Sequence, residues 1–118
     1  MHNKDYLYLK DILESIIAIE DYIADIDFSE FERNRKTHSA TIRELEIIGE
    51  AASKLSDELK SSYTKVQWRD IKDLRNLLIH EYFGVDLEII WNIVTIDIPI
   101  LKSVIDAILD NKQKSNEE

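Results

Sequence analysis

Residues 87–108 read LEIIWNIVTIDIPILKSVIDAI, and the spacing of the apolar residues in this stretch decides the fold class. One set of them recurs every three or four residues, which is the period of a single helix face. That set is Leu87, Ile90, Val94, Ile98, Leu101, Ile105 and Ile108. Asp86, directly before the stretch, is the predicted N-cap of this helix. Pro99 lacks an N–H group and should kink the helix or split it in two.

The segments before residue 87 follow the same period. The first predicted helix has one apolar row that should face the core. This row consists of Leu9, Ile12, Leu13, Ile16, Ile19, Ile23 and Ile26. A second row consists of Ile42, Leu45, Ile48, Ala52, Leu55 and Leu59. A shorter helix carries Ile71, Leu74 and Leu78 inward, and Gly84 is expected to end it in a left-handed turn.

Three Ser or Thr residues are followed three positions later by Glu or Gln, which is the pattern of a capping box at a helix start. They are Ser29, Thr41 and Thr64, with Glu32, Glu44 and Gln67 as their partners. Residues 29–60 therefore form either a short helix followed by a long one or a single bent helix. The third box predicts a helix start at Thr64.

These patterns predict an all-α fold, an antiparallel up-and-down bundle of four to six helices. The chain has 118 residues with only two glycines and one proline, so it offers little turn chemistry for a sheet. No useful strand alternation interrupts the helical rows. We expect one domain over residues 1–110 and a flexible polar tail over 111–118.

The composition excludes several functional classes. Without cysteine the chain holds no disulfide and no thiolate metal site, and it has no glycine-rich phosphate loop. Neither His38 nor His80 follows a Glu by three positions, as the histidines of two-metal bundles do. Glu46 and Glu50 share a helix face, but two solvated acids explain them better than a metal site. We expect no metal and no cofactor. Lacking a signal pattern and a long apolar run, the protein is predicted to be cytoplasmic.

Charge is unevenly distributed along this acidic chain, whose formal net charge is −9. Residues 1–32 hold two Lys and nine Asp or Glu, a balance of −7. The next segment, residues 33–43, is basic without an acid and carries Arg33, Arg35, Lys36 and Arg43. This basic strip is a candidate RNA-binding surface, because phosphates require local positive charge. A solvated helix face explains the strip equally well.

Residues 75–82 read RNLLIHEY and concentrate polar side chains beside a core-forming run. At about 100° per residue, Asn76 and His80 share a helix face, whereas Arg75 and His80 project about 140° apart. A site that uses both must employ the fraying helix end before Gly84 or be completed by a second copy of the chain. Taken singly, each residue has an ordinary structural explanation, such as a surface ion pair for Arg75 or a core position for Tyr82.

Taken together, these residues resemble a known signature. The string from Arg75 to Tyr82 matches the R-x4-H-x-Y motif of the HepT toxins, a branch of the HEPN ribonuclease superfamily. Three further segments are similar to that family: LEIIGEAA at 45–52, WRDI at 68–71 and YFGVD at 82–86. The position of Pro99 in the last helix agrees as well. The likeness covers nearly the whole chain in the expected order.

The resemblance implies a metal-independent endoribonuclease that works as a homodimer, with the motifs of two chains facing each other. Arg75, Asn76 and His80 would be the catalytic residues. It further implies a toxin of a type VII toxin–antitoxin pair. Its partner would be an MntA-like nucleotidyltransferase antitoxin that transfers AMP to Tyr82.

Three functional hypotheses therefore compete. The first is a dimeric ribonuclease toxin neutralised by modification, and the second is a non-catalytic, nucleotide- or RNA-binding subunit of a minimal nucleotidyltransferase. The third is a helical interaction domain that keeps the motif for folding alone. The presence of all four motif residues favours the first, because a degenerate subunit has no evident need for all of them.

Overall fold

The structure, a computed structural model, describes residues 3–80 and 86–117, with side chains described for 4–74, 78 and 86–111. Within these ranges the chain is helical and contains no strand, which confirms the predicted all-α class. The helices are α1 (Asn3–Tyr22), α2 (Phe28–Arg33), α3 (Arg35–Ser53), α4 (Asp57–Ser62), α5 (Trp68–His80), α6 (Leu87–Asn92) and α7 (Ile98–Glu117). A π-helical turn, Ile93–Asp97, joins α6 to α7 without a break.

The long helices pack side by side with alternating direction. Asp5, at the start of α1, contacts Ser56, just beyond the end of α3. Lys102, near the start of α7, forms an ion pair at 3.0 Å with Glu20, near the end of α1. Helix α1 therefore runs antiparallel to both α3 and α7, and α5 packs against α3. This is the predicted antiparallel bundle.

The predicted apolar rows meet in one core. Every row contributes residues that are almost completely buried, including Leu9, Ile16, Leu45, Ile48, Leu74, Leu78, Ile90, Ile98, Leu101 and Ile105. Ile42 and Ile71 pack against this core while remaining partly exposed. Phe31 of α2 fills the space beside α6, with its ring centroid 5.1 Å from that of Trp91. Burial of these rows is the main stabilising term of the fold.

Polar contacts tie the helix surfaces together outside the core. The hydroxyl of Tyr22 in α1 donates a hydrogen bond of 3.0 Å to the Glu44 carboxylate in α3. This hydrogen bond, together with the negative charge of Glu44, raises the pKa of Tyr22 above its ordinary value. The phenol therefore stays a neutral donor throughout the physiological pH range.

Two of the three predicted helix starts lie between α1 and α4, and both are wrong. Helix α2 begins one residue before Ser29, and its N-cap is Asp27, which accepts a hydrogen bond from the Glu30 N–H at 2.9 Å. Helix α3 is capped by Asn34, whereas Thr41 lies buried inside that helix and donates to the Thr37 carbonyl. The alternative of a short helix followed by a long one holds as far as Ser53, but the predicted stretch to residue 60 is interrupted there, and a further short helix, α4, begins at Asp57. A carboxylate caps α2 and an amide caps α3, and Asp and Asn stabilise a helix start at least as well as Ser or Thr.

The predicted start at Thr64 is also wrong, because α5 begins at Trp68. The carbonyl of Gln67 accepts the N–H of Ile71, so the helical hydrogen bonds begin three residues later than a cap at Thr64 would place them. The indole N–H of Trp68 donates to the Tyr63 carbonyl at 2.8 Å and fixes the preceding turn. By contrast, the predicted cap Asp86 is confirmed, since its carboxylate accepts from the Glu88 N–H at 2.9 Å.

Pro99 does not split the last helix as one of the two predicted outcomes requires; the helix is continuous and becomes irregular just before the proline. The segment before it, Ile93–Asp97, forms a π-helical turn, and the α-helix resumes at Ile98. A proline cannot donate to the carbonyl four residues earlier, and its ring crowds that carbonyl, so a wider turn relieves the conflict. The widening keeps Val94 and Ile98 on the same buried face. Helix α7 then continues to Glu117, through most of the predicted 111–118 tail, whose flexibility stays a prediction.

Asp5 connects the start of α1 to Ser56, just beyond the end of α3, and should contribute strongly to stability. Its carboxylate is 2% exposed and accepts hydrogen bonds from the Ser56 N–H at 2.8 Å and the Ser56 hydroxyl at 2.6 Å. Asp5→Ala should lower the free energy of unfolding by about 2 kcal/mol, because both donors lose their partner. The exposed Asp11→Ala is the matched control and should change it by less than about 0.5 kcal/mol. Urea unfolding measures both, and equal stabilities would contradict this role for Asp5.

Candidate functional site

Helix α5 carries all three candidate catalytic residues. Arg75, Asn76 and His80 all lie within its continuous span, Trp68–His80. The side chains of these three residues lie outside the described residues, as do Tyr82 and Gly84 as a whole. The structure therefore shows the backbone positions of the first three, and it tests neither the modification predicted at Tyr82 nor the turn predicted at Gly84.

The register of α5 defines which positions face the bundle. Leu74 and Leu78 are buried, whereas Arg69, Lys72 and Asp73 are exposed on the opposite side. At about 100° per residue, positions 76 and 80 continue this exposed row. Position 75 lies about 80° from the middle of the buried row and about 140° from position 80. Because the helix is continuous through His80, positions 75 and 80 diverge in the folded chain as the sequence predicted.

A groove of about 480 Å³ opens beside α5. Ile71 and Leu74 of α5 line one wall, and Ile93 and Ile100 of the last helical run line the other. Asp97, in the π-helical turn, also borders it. The groove was not predicted from the sequence, because only one apolar row was predicted for the last helix. The signal was present as a second row of isoleucines at 89, 93, 96 and 100.

The predicted basic strip is fully on the surface. Arg33 ends α2, while Arg35 and Lys36 begin α3, and all three are exposed. Arg43 lies two turns further along α3 and is also exposed, but it pairs with Glu46 at 3.6 Å. The structure thus brings the first three together at the α2–α3 junction and separates Arg43 from them. Two cations in the first turn of α3 face the positive end of the helix dipole, which disfavours them energetically.

The α2–α3 junction lies at the side of the bundle where α6 packs. Phe31 of α2 contacts both Trp91 of α6 and His38 of α3, with ring centroids 5.1 and 6.1 Å apart. The Nδ1 atom of His38 is buried here without a hydrogen-bond partner. Phe31 therefore links α2 to both α3 and α6 beside the basic strip.

Glu46 and Glu50, the two acids that share a face of α3, both form ion pairs. Glu46 pairs with Arg43, and Glu50 pairs with Lys54 at 3.4 Å, both along the surface of α3. In the described part of the chain, no three His, Asp or Glu residues come close enough to hold a metal ion. Nor does any helix in that part have the length and apolar character needed to cross a membrane.

Comparison with known proteins connects this helical bundle to ribonucleases. A family model described as "Ribonuclease HepT-like" matches residues 12–108, which include α5 and the π-helical turn. A Thermococcus cleftensis protein named "Probable ribonuclease HepT" is 44% identical over 95 residues, covering 80% of this chain and 86% of that protein. "Putative RNase MJ1380" of Methanocaldococcus jannaschii is 40% identical over 101 residues, covering 86% of this chain and 93% of that protein.

A third relative shows the same likeness. "Putative RNase TTE0752" of Caldanaerobacter subterraneus is 37% identical over 106 residues, covering 90% of this chain and 95% of that protein. No solved structure gives a significant match. The sequence similarity therefore extends over nearly the full length of these three relatives.

Proposed function

The chain belongs to the HepT-like ribonuclease family, and we propose that it is a metal-independent endoribonuclease whose active site is shared by two copies of the chain. The observation that carries the proposal is the family match over residues 12–108, within which Arg75, Asn76 and His80 lie on one continuous helix. The divergence of positions 75 and 80 on that helix supports a shared site. A second copy of the chain can bring its own residue 75 or 80 to the residue that lies on a different helix face in the first copy.

The proposed reaction is a transesterification within the RNA strand. The 2′-hydroxyl oxygen attacks the adjacent phosphorus, the bond to the 5′-oxygen of the next nucleotide breaks, and a cyclic phosphate and a 5′-hydroxyl result. One histidine removes the 2′-hydroxyl proton and another protonates the leaving 5′-oxygen. His80 of the two copies would take these two roles, since an imidazole exchanges protons near neutral pH.

The other two motif residues would bind and orient the phosphate. Arg75 presents a planar guanidinium that can donate two parallel hydrogen bonds to phosphate oxygens and offset the charge that develops in the transition state. Asn76, one helical turn before His80, would orient the phosphate or the imidazole. This assignment uses only side chains of the protein and the RNA itself, so it requires no metal.

We further propose that the protein is the toxin of a type VII toxin–antitoxin pair, controlled by modification of Tyr82. An MntA-like nucleotidyltransferase would catalyse attack of the Tyr82 phenol oxygen on the α-phosphorus of ATP. A phosphodiester to AMP forms, pyrophosphate leaves and the phenol proton passes to solvent. The added bulk and negative charge, two residues beyond His80, would oppose binding of RNA phosphates.

The basic strip should contribute to RNA binding rather than to the chemical step. Arg35→Gln combined with Lys36→Gln should raise KM for RNA about tenfold at low salt, with kcat unchanged. The slope of log affinity against log salt should fall by about 1.4, as expected for two lost contacts to single-stranded phosphates. Lys4→Gln with Lys10→Gln on α1 removes the same charge from exposed positions elsewhere and should alter neither value. If both pairs weaken binding equally, only the total charge matters and the strip has no special role.

The direct test of the proposed activity uses the unmodified protein, purified from cells without the nucleotidyltransferase, and bulk cellular RNA in excess EDTA. We expect fragments that carry a cyclic phosphate at one end and a 5′-hydroxyl at the other. Absence of cleavage by unmodified protein would overturn the proposal. The alternative, a non-catalytic subunit of a nucleotidyltransferase, would then predict binding of nucleotide or RNA without turnover.

A further inference from the structure

Helix α5 carries three cationic residues at intervals of three positions. They are Arg69, Lys72 and Arg75, and we call them the cationic ridge. Residues three apart are neighbours on a helix surface, with Cβ atoms about 5–6 Å apart, so the three positions form one slanted line along α5. The ridge ends at Arg75, the residue that is proposed above to bind the phosphate at the cleaved bond.

The first two residues of the ridge lie on the surface of the bundle. Arg69 and Lys72 are both exposed, on the side of α5 away from the buried Leu74 and Leu78. At about 100° per residue, Lys72 projects about 60° from position 75 and about 40° from position 76. Lys72 is therefore one turn before the candidate catalytic positions and on nearly the same face of the helix.

Helix stability does not account for these two cations. Arg69 lies in the first turn of α5, where the positive end of the helix dipole disfavours a positive charge. Like charges at neighbouring positions on a helix repel each other, and Lys72 has a cation three residues away on either side. Among the side chains that the structure describes, neither Arg69 nor Lys72 takes part in an ion pair. A bound anion would relieve this repulsion.

The acidic residues of α5 lie to one side of the ridge. Asp70 and Asp73 both line the groove beside α5. The middle of this acidic pair is about 130° around the helix from the middle of the ridge. Asp73 is the nearer acid, one turn beyond Arg69, but a base four residues before an acid is the less favourable order for a helix ion pair. The ridge is thus a local set of cations on a chain whose net charge is −9.

An RNA strand presents a matching series of negative charges. Its phosphates recur once per nucleotide, while the cations of the ridge recur about every 4.5 Å along the helix axis. A strand whose phosphate at the cleaved bond is held by Arg75 therefore brings its next phosphates within reach of the long side chains of Lys72 and Arg69. Contacts of this kind hold a strand in register without reading its sequence.

We propose that Arg69 and Lys72 bind the phosphates of the nucleotides that follow the cleaved bond on one side. The inference rests on the proposed function, because it takes Arg75 as the ligand of the phosphate at that bond, and it adds two phosphate-binding residues to the site. The substrate is then an RNA strand that continues past the cleavage point along α5, rather than a dinucleotide.

The test is the binding of a fluorescein-labelled, twelve-nucleotide thymidine DNA strand, which has no 2′-hydroxyl and cannot be cleaved. Arg69→Gln combined with Lys72→Gln should weaken binding about tenfold at low salt. The slope of log affinity against log salt should fall by about 1.4, as expected for two lost contacts to single-stranded phosphates. Lys4→Gln with Lys10→Gln is the matched control, since it removes the same charge from exposed positions on α1, and it should bind like the wild type. Fluorescence anisotropy measures all three affinities.

Urea unfolding of the same proteins distinguishes a binding role from a structural one. Removing two cations that repel their neighbours should leave the Arg69 and Lys72 variant at least as stable as the wild type. A clear loss of stability in this variant would mean that the two cations hold the helix in place, and it would overturn the proposal.

The outcomes also separate this inference from the proposed function. No binding by the wild type, unchanged binding by the ridge variant, or equal weakening by both pairs would overturn the inference even if the protein cleaves RNA. Weaker binding by the ridge variant alone supports it even if no protein cleaves RNA, in which case the ribonuclease proposal alone fails.

Cleavage gives a second measurement if the protein is active. The variant with Arg69→Gln and Lys72→Gln should show a KM for a long RNA about tenfold higher than that of the wild type, with kcat unchanged. A dinucleotide has a single phosphate and does not reach Lys72, so the variant should cleave it like the wild type. An equal loss on both substrates would contradict binding beyond the cleaved bond.

Discussion

Replacing His80 by alanine should slow RNA cleavage by about 10²–10⁴-fold, the usual contribution of a positioned proton-transfer group. The upper part of this range is expected, because the substitution in a dimer removes both the base and the acid. Stability should change by less than about 0.5 kcal/mol, since position 80 continues the exposed row of α5. Single-turnover cleavage of one RNA, together with urea unfolding, measures both quantities.

His38→Gln is the matched control for this experiment. His38 also lies in a helix, but its ring packs against Phe31 and it is not part of the motif. We expect cleavage at the wild-type rate at equal fractions of folded protein. If His80→Ala instead cleaves normally and loses stability, the motif serves folding, and the third hypothesis, a helical interaction domain, is the correct one.

Adenylylation of Tyr82 should reduce cleavage by at least about 100-fold, equivalent to roughly 2.7 kcal/mol in the activation free energy. The reason is the addition of a phosphodiester and a nucleoside two residues beyond His80, where they would compete with the RNA backbone for Arg75. The protein is incubated with the nucleotidyltransferase and ATP. Intact mass spectrometry gives the modified fraction, and the cleavage rate is followed in the same samples.

Tyrosine variants show whether the modified residue is the one that matters. Tyr82→Phe should remain active and should stay active after incubation with ATP and the transferase. Tyr63→Phe, which removes a hydroxyl that accepts a hydrogen bond from Asn111, should be modified and silenced like the wild type. Modification of Tyr82→Phe with loss of activity would show that the control site lies elsewhere.

The core of this protein could be predicted from its sequence because burial follows the helical period. Leu74, Leu78, Ile90, Val94 and Ile98 are all buried as expected. The conflict at Pro99 was equally predictable, since a missing N–H group has the same consequence in any helix. Which kind of distortion results depends on packing. Here the helix forms a π-helical turn, and both Val94 and Ile98 remain in the core.

The helix starts could not be predicted as well, because several residues can cap and only the folded backbone selects one. Ser29 and Thr41 match the capping pattern, yet Asp27 and Asn34 provide the caps. The side-chain hydrogen bond of a cap contributes only about 1 kcal/mol, so the packing of Phe31 and the buried position of Thr41 can outweigh it. Short helices such as α2 are therefore placed by their tertiary contacts.

The candidate catalytic residues were found through the resemblance of the 75–82 string, whereas the groove beside them was not found. An isoleucine at 96 or 100 has the same hydropathy as one at 98, so hydropathy does not distinguish the two rows. The more regular row is predicted to lie in the core, and the other row is left unassigned. Whether the second row is covered depends on the positions of α5 and α7. Exposure at Ile96 and Ile100 therefore became visible only in the folded bundle.

In the proposed ribonuclease, two copies of the chain each contribute His80 to a shared site. This arrangement is tested by dissociating and re-associating one part of wild-type protein with nine parts of His80→Ala, then measuring RNA cleavage in EDTA. If both copies are needed, activity follows the fraction of wild-type dimers, about one hundredth of that of the same total amount of wild-type protein. Activity of about one tenth, proportional to the wild-type chains alone, would contradict the shared site.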